Sequence, residues 1–198
     1  MAGERPGGRT AAVRRAVLTA AEDLLIEAGL DGLELTVVAE RAGVGKSTVY
    51  RRWGTVPALV ADLLTDMAEQ SLPRADTGSL RGDLQANARL VRRTLADPRQ
   101  GRLFKAMIAA ATCDARTAEA LEEFYARRIA EWSGCVTDAI ARGEAPEKTD
   151  AAAAIRQVSA PLYHQFLTST KRLTTGDADR AAHAAVAAIR AGVYTTRG

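Results

Sequence analysis

Apolar residues recur every three or four positions along most of the chain, the spacing that places them on one face of an α-helix. Val17, Leu24 and Ala28 form one such stripe and predict a helix over residues 13–29. A second stripe runs through residues 59–67. Alanine, a strong helix former, is abundant throughout the sequence. The pattern therefore predicts an all-α protein.

A change in composition at residues 71–82, which include Pro73 and Gly78, interrupts the helical pattern and gives the predicted domain boundary. Beyond it, the apolar spacing predicts five further helices, over residues 84–95, 103–111, 118–141, 151–173 and 178–193. We therefore expect three parts, which are a flexible arm at residues 1–10, a first domain at residues 11–71 and a second domain at residues 72–198.

Residues 35–53 predict two short helices joined by a tight turn, so the first domain is expected to be a three-helix helix-turn-helix domain. Gly43 and Gly45 bracket the turn, and glycine adopts the positive φ that a sharp exit from a helix often requires. Thr36 is expected to cap the first short helix, because its hydroxyl can accept a hydrogen bond from a free backbone N–H. The side chains expected to face the interior are Val37, Val38, Ala42, Val44 and Val49.

The second short helix carries the candidate chemistry. Between residues 41 and 61 the chain has four basic residues and no acidic one, although the net charge of the whole chain is only +3. A cationic helix with hydroxyl and phenol donors suits the phosphates and base edges of double-stranded DNA. The residues predicted to contact DNA are Thr36, Lys46, Ser47, Thr48, Tyr50, Arg51 and Arg52.

The run from Leu35 to Trp53 closely resembles the DNA-binding motif of the TetR/AcrR (tetracycline-repressor) family of bacterial transcription regulators. The matching positions are Leu35-Thr36, Val38-Ala39, Arg41-Ala42-Gly43-Val44-Gly45, Thr48-Val49-Tyr50-Arg51 and Trp53. The preceding helix also fits the family pattern, with Ala20-Ala21, Leu24-Leu25 and Glu27-x-Gly29. Beyond about residue 65 the resemblance is one of length and helical layout.

This resemblance implies a ligand-responsive regulator that a small molecule releases from its operator. It also implies a C-terminal helical domain for ligand binding and dimerisation, in which the last two helices pair with those of a second copy in a four-helix bundle. The protein would then be a homodimer on a two-fold operator. The family usually has a lysine where the fourth helix begins, but this chain has Thr55-Val56-Pro57, so one phosphate contact is expected to be missing.

Aromatic residues are concentrated in the second domain, and two interpretations of them stay open. They can form an ordinary helical core, or they can line an apolar ligand pocket with a few polar groups. The residues predicted to line a pocket are Phe104, Met107, Phe124, Tyr125, Tyr163 and His164. Under the second interpretation the effector is a small apolar or aromatic molecule.

Other site types find little support in the sequence. The two histidines, His164 and His183, have no carboxylate at a ligand spacing, so we expect no metal, and nothing indicates a cofactor. Cys113 and Cys135 match no redox or metal spacing and are expected to be reduced thiols in the cytoplasm. No run of about 18 apolar residues is present, so we expect no membrane span.

Two other functions remain as alternatives. One is a constitutive DNA-binding protein without an effector, which would show no thermal response to small molecules. The other is a small helical enzyme that carries a helix-turn-helix. No residues resemble a nucleophile elbow or another catalytic arrangement, so we expect the protein not to be an enzyme.

Overall fold

Nine α-helices and no β-strand make up residues 6–196, the part of the chain whose backbone the computed structural model describes, and side chains are described for residues 10–196. The helices are α1 (Pro6–Ala28), α2 (Leu35–Arg41), α3 (Lys46–Arg52), α4 (Val56–Glu69), α5 (Leu80–Ala96), α6 (Pro98–Cys113), α7 (Ala115–Ala141), α8 (Ala151–Thr168) and α9 (Thr175–Arg190). One isolated antiparallel bridge joins Thr149 and Thr195. The predicted all-α class is confirmed.

Short polar side chains fix the starts of several helices by accepting a hydrogen bond from the first helical turn. Thr55 caps α4, Ser79 caps α5 and Asp150 caps α8 in this way. At α9, Thr174 and Asp177 form a complete capping box, in which each side chain bonds the other's backbone N–H. None of the helices described over residues 6–196 is long and apolar enough to cross a membrane.

Several ends of the predicted helices differ in the structure by three residues or more, namely those of α1, α5, α6, α7, α8 and α9. Helix α1 begins at Pro6, since proline has no N–H to lose in a first turn, so the second half of the predicted arm is helical. Residues 1–5 lie outside the described residues, and the flexibility of the arm stays a prediction. The predicted helix over residues 151–173 was too long, because Ser169 is extended (φ −122°, ψ 145°) and ends α8 at Thr168.

The chain folds into two compact units. The first contains the described residues up to Gln70 together with Arg102–Phe124, and the second contains Ser71–Gly101 and the residues from Tyr125 onward. The passage from Gln70 to Ser71 falls at the predicted break, whereas the grouping of residues 102–124 with the first unit was not anticipated. The assignment of ligand binding and dimerisation to residues 72–198 stays a prediction.

The first unit contains the helix-turn-helix. Helices α2 and α4 pack on α1, and α3 packs on α2. Val17 and Ala21 of α1, Val38 of α2, Val49 of α3 and Leu59 of α4 are fully buried in this core. Val17 and Leu24 of the apolar stripe predicted for α1 are thus buried, whereas Ala28, at the end of the helix, is exposed.

In the second unit, α5, α8 and α9 pack against one another in pairs. Ala178, Ala182 and Ala185 of α9 are buried, and such small side chains let neighbouring helices approach closely. Asp83 is a buried carboxylate on α5, and its Oδ1 atom accepts hydrogen bonds from both the backbone N–H and the hydroxyl of Thr77. Burial of this charge is thus compensated by two donors.

Candidate functional site

The turn between α2 and α3 has the predicted geometry in part. Gly43 has φ +64°, which is the left-handed conformation that glycine adopts without strain, but Gly45 has φ −59°, an ordinary value for any residue. Gly45 is the N-cap of α3 and Val44 is half-buried beside it. The turn therefore needs one glycine for its backbone and not two.

Two predictions for α2 were wrong. Thr36 does not cap the helix, because the N-cap is Glu34 and Leu35 is already helical; the Thr36 hydroxyl instead lies 3.4 Å from the Glu34 carboxylate. Val37 does not face the interior and is 39% exposed, because the buried face of α2 is formed by Leu35, Val38 and Ala39, at helical spacings of three and four residues.

The outer surface of α3 carries most of the predicted DNA-contact residues. Lys46, Ser47, Arg51 and Arg52 are exposed, and Tyr50 is 48% exposed. Thr36 and Thr48 are half-buried beside this surface. Val49 faces the opposite way and is fully buried, so the helix has one apolar anchor and an otherwise polar face.

The cations of this region differ in their partners. Arg41 forms an ion pair with Glu27 at 2.7 Å, which occupies its charge within the first unit. The Arg52 guanidinium lies 5.1 Å from the centre of the Trp53 ring. Among residues 10–196, no carboxylate lies within 4.0 Å of the side-chain nitrogens of Lys46 or Arg51. These two charges are available to an anionic partner.

A polar cluster fixes the end of α3. The buried Trp53, which follows α3, donates from Nε1 to an Asp62 carboxylate oxygen of α4 at 2.9 Å. Arg14 of α1 donates to the same carboxylate at 2.8 Å and to Asp66 at 2.6 Å. Three helices are thus joined through one aspartate, and we name Arg14, Trp53, Asp62 and Asp66 the Asp62 cluster.

The pKa of Asp62 reflects these contacts. Partial burial alone would raise it, but the hydrogen bonds from Arg14 and Trp53 outweigh burial and lower the pKa below its ordinary value. The hydrogen bonds from Arg14 to Asp62 and Asp66 raise the pKa of Arg14. Arg14 and Asp62 are therefore both charged at neutral pH, and they orient α3 by charge-assisted hydrogen bonds.

The Asp62 cluster was missed in the sequence analysis. Arg14 and Asp62 are 48 positions apart, and no spacing rule connects residues so distant along the chain. Trp53 was recognised as part of a motif, but its hydrogen-bond partner was not. At the start of α4, where the family usually has a lysine, Thr55 accepts a hydrogen bond from the Ala58 N–H at 3.3 Å and serves as the cap.

The aromatic residues predicted to line a pocket are divided between the two units. Phe104, Met107 and Phe124 are buried in the first unit, where the two phenyl rings lie 5.8 Å apart. Tyr125 and Tyr163 belong to the second unit and pack edge to face at 5.5 Å. Either set can be core or pocket by composition alone.

The tyrosine pair is strongly desolvated. Burial, followed by the proximity of Tyr125, raises the pKa of Tyr163 well above its ordinary value, and burial also raises the pKa of Tyr125. Both phenols are therefore neutral hydrogen-bonding groups at neutral pH. His164 is exposed on α8, so its side chain does not share the surroundings of the pair.

The outward faces of α8 and α9 combine small and apolar residues with polar ones, such as Arg156 and His164 on α8 and Arg180 and His183 on α9. On α8 the exposed residues include Ala160, Pro161 and Leu167, the last of which is 48% exposed. On α9 they include Ala184 and Ala187. A groove of about 550 Å³ opens beside this face of α9, lined by Arg81, Gln85, Asp179, Arg180, Ala182, His183 and Ala184.

Two protein-family models match the chain. The model described as "Bacterial regulatory proteins, tetR family" matches residues 17–63. The model described as "Tetracyclin repressor-like, C-terminal domain" matches residues 74–185. The first match contains the helix-turn-helix, and the second contains α5 to α8 and much of α9.

Whole-chain relatives agree with these matches. The chain is 32% identical over 168 residues to the HTH-type transcriptional regulator YdeS of Bacillus subtilis, covering 84% of each protein. It is 31% identical over 164 residues to the DNA-binding transcriptional repressor TetR of Mycobacteroides abscessus, covering 81% of this chain and 82% of that protein. The crystal structure of the TetR family transcription regulator SCO0332 superposes with a TM-score of 0.70 at 28% identity, covering 88% of this chain and 97% of that one.

Proposed function

The chain belongs to the tetR family of bacterial regulatory proteins and is a DNA-binding transcriptional regulator, and we propose that it is a homodimeric repressor released from its operator by a small molecule. The observation that carries the DNA-binding surface is the outer face of α3, where Lys46 and Arg51 are exposed without a nearby carboxylate among the described residues. Because operator DNA is its partner, we place the protein in the bacterial cytoplasm.

We propose that α3 enters the major groove with Lys46, Ser47 and Tyr50 towards the DNA. Hydroxyl, phenol and amine donors at these positions suit base edges and phosphates. Arg52 is directed towards Trp53, so its role is to hold the end of α3 as much as to meet a phosphate. Thr36, Thr48 and Arg51 complete the proposed surface.

We propose that a second copy of the chain covers the outward faces of α8 and α9. Exposed alanines on α9 would allow close helix contact, and Leu167 would give the interface an apolar centre. The groove beside Ala184 would receive side chains of the partner. A dimer of this kind presents two copies of α3 to half-sites about 34 Å apart, one turn of the double helix.

The experiment that tests DNA binding is a selection of duplexes from a random pool, followed by mobility shifts over a range of salt concentrations. Tyr50→Ala should weaken binding of the selected duplex by about tenfold or more, the usual effect of removing one good base contact. Lys46→Ala should also flatten the slope of log affinity against log salt by about one unit for each phosphate that the lysine neutralises. Unchanged affinity in both variants would refute the assignment of α3.

We propose that the effector binds beside the tyrosine pair in the second unit, where two neutral phenols offer hydrogen bonds within an apolar surrounding. A thermal-shift screen of small aromatic compounds would identify it. Tyr163→Ala should weaken binding of the compound by about tenfold, and Tyr163→Phe should show how much of that affinity is due to the hydroxyl.

Phe104, Met107 and Phe124 are kept as the second candidate lining, tested by Phe124→Ala. Substitution of a residue that lines the pocket should weaken binding of the compound and leave operator binding in its absence unchanged. If Tyr163→Ala or Phe124→Ala abolishes operator binding as well, that residue is structural core and the pocket assignment fails at that position.

A further inference from the structure

The groove beside α9 contains a cation that has no counterion among residues 10–196. Arg81 of α5 lines this groove and is exposed. Among those residues, no carboxylate oxygen lies within 4.0 Å of its guanidinium nitrogens. Arg81 also lies in the first turn of α5, where the helix dipole disfavours a cation. We name the groove lined by Arg81, Gln85, Asp179, Arg180, Ala182, His183 and Ala184 the α9 groove.

The carboxylate that lines the α9 groove is neutralised by another residue. Asp179 accepts hydrogen bonds from Nε and Nη2 of Arg89 at 2.8 Å and 3.0 Å, a two-point contact that is among the strongest an arginine makes. Gln85 donates from Nε2 to the same carboxylate at 3.0 Å. The bonds from Arg89 and Gln85 lower the pKa of Asp179, so Asp179 is ionised at neutral pH and its charge is matched by Arg89. It is therefore not available to Arg81.

Helices α8 and α9 provide no other acid. Residues 151–193, which contain both helices, have five basic residues and only two acidic ones, Asp177 and Asp179. Asp177 is engaged within its own helix, because it pairs with Arg180 and completes the capping box with Thr174. The outward faces of the two helices therefore carry more positive than negative charge.

A second copy of the chain would bring the same excess charge. In a two-fold dimer the same patch of both copies meets. Side chains that reach the α9 groove from the partner's α8 and α9 then come from helices whose two acids are already paired within their own chain. Like charges that are brought together oppose association. The proposed dimer would therefore hold one guanidinium without a counterion, that of Arg81, in each copy of the groove.

The chemistry of the α9 groove suits a small molecule that carries an oxyanion. The planar guanidinium of Arg81 matches the oxygens of a phosphate or a carboxylate. Gln85 and His183 add N–H donors, and Ala182 and Ala184 add an apolar surface. The groove has a volume of about 550 Å³, which lies within the usual range for small-molecule sites.

We propose that the α9 groove binds a small molecule carrying a phosphate or a carboxylate group, and that this oxyanion neutralises Arg81 when two copies associate. The inference rests on the proposed homodimer. An anion that binds the dimer more tightly than the monomer must stabilise the dimer. Because a two-fold dimer has two such grooves, it takes up two anions.

The test is sedimentation velocity of the full-length protein over a concentration series, in phosphate, acetate or chloride at the same pH and ionic strength. Equal ionic strength keeps general screening the same in all three buffers. Phosphate at about twice its own dissociation constant should lower the dissociation constant of the dimer by about tenfold, since each of the two sites contributes a factor of about three. Tightening by phosphate alone assigns a phosphate group to the ligand, and tightening by acetate as well assigns either oxyanion.

Substitutions of Arg81 locate the response. Arg81→Gln should reduce the effect of phosphate to less than about twofold. It should also tighten the dimer in chloride by about threefold, a usual effect for one surface charge, because it removes the charge that opposes association. Arg81→Lys keeps the charge but not the planar fork, so it should keep part of the phosphate response.

Arg156→Gln is the matched control. It removes an exposed cation of α8 that does not line the α9 groove, so the response to phosphate should be unchanged. Thermal melting of each variant shows that it is folded.

The possible results decide between the inference and the proposed homodimer. If the wild-type protein is monomeric in every buffer, the proposed homodimer fails and the inference fails with it. If the protein forms an equally strong dimer in phosphate, acetate and chloride, the homodimer stands and the inference is wrong. If Arg81→Gln keeps the full phosphate response, the anion binds elsewhere and the inference is wrong. If Arg81→Gln melts like the wild type but weakens the dimer in chloride, Arg81 contacts the second copy directly, which also contradicts the inference.

Discussion

Helices α3 and α9 are held in place in opposite ways. Helix α3 has seven residues, one buried side chain and no side-chain cap, whereas α9 has sixteen residues, six buried side chains and a capping box. A helix of seven residues is far too short to be stable alone, so α3 depends on contacts at its end, namely those of the Asp62 cluster. Helix α9 is stabilised by its own start and its own buried face.

This difference corresponds to what each outer surface offers. The exposed face of α3 consists of cations, hydroxyls and a phenol, while Trp53 and Asp62 anchor the helix, and Lys46 and Arg51 have no carboxylate within 4.0 Å among residues 10–196. The exposed face of α9 includes Ala184 and Ala187, which suit a close neighbour of matching shape. On α3, the contacts that anchor the helix lie at its end and the residues proposed to contact DNA lie along its outer face. On α9, one face is buried in the core and the opposite face is available to a partner.

The largest expected effect is on the stability of the dimer, and it comes from placing a positive charge on the exposed face of α9. Ala184→Arg or Ala187→Arg would place an unpaired guanidinium in the proposed interface, which should weaken the dimer by about 3 kcal/mol, or roughly 100-fold. Operator affinity should fall with it, since one protomer binds one half-site. Sedimentation velocity over a concentration series measures the dimer directly.

Ala130→Arg is the matched control, because Ala130 is exposed on α7, away from the proposed interface. It should leave the dimer intact. A wild-type protein that is monomeric at micromolar concentration, or a dimer unaffected by both α9 substitutions, would show that the small outer face of α9 is not an interface.

The position of each alanine on α9 illustrates what the sequence could not provide. Ala185, which the alanine-rich run did not distinguish from its neighbours, is 0% exposed and faces the core of the second unit, so Ala185→Arg would unfold the protein and would not test the dimer. Periodicity located the helix well, because apolar spacing is a local property. It could not orient α9, because seven of its sixteen residues are alanine.

In the first unit, too, local features could be predicted from the sequence, whereas contacts between distant residues could not. The existence of α1 to α4 and the positive φ at Gly43 followed from local rules of spacing and turn chemistry. The bond between Trp53 and Asp62 depends on how α3 meets α4 in space, and the exposure of Val37 depends on which face of α2 packs on its neighbours. The sequence therefore predicted the helices of the first unit and their turn better than the contacts that hold α3 in place.

An intermediate effect is expected from Asp62→Asn, which weakens the anchoring of α3. The change should reduce the free energy of unfolding by about 1 kcal/mol, given partial exposure of the contacts, and operator affinity by about fivefold through a less fixed α3. Denaturant unfolding and mobility shifts measure the two quantities. Asp66→Asn is the matched control, because Asp66 bonds Arg14 at 2.6 Å but has no contact with Trp53 among the hydrogen bonds of the described residues.

The Asp66→Asn control should lose stability without losing operator affinity per folded dimer.

The pH dependence of stability tests the direction of the Asp62 pKa shift. Since the folded-state pKa of Asp62 is lowered, its contribution to stability is present above the ordinary carboxyl pKa of about 3.9 and is lost as the pH falls through the folded-state value. The stability gap between wild type and Asp62→Asn should therefore narrow in acid. Equal operator losses in both variants would mean that Trp53 does not anchor α3.

The smallest effect is expected from giving α3 the cap that α9 already has. Gly45 has φ −59° and ψ 132°, and a Cβ atom there would meet only the Thr48 hydroxyl at 3.9 Å, an ordinary contact. Gly45→Ser should therefore raise the free energy of unfolding by about 0.5 kcal/mol, through a cap bond and a less flexible unfolded chain. Thr174→Ala, which removes the cap of α9, should lower the free energy of unfolding by about 1 kcal/mol and calibrates the measurement.

Operator affinity should stay within about twofold in both variants, since neither touches the Asp62 cluster. If Gly45→Ser instead changes affinity strongly while stability is unmoved, the start of α3 is set by DNA contact and not by its own cap, and the contrast between the two helices is weaker than the structure suggests.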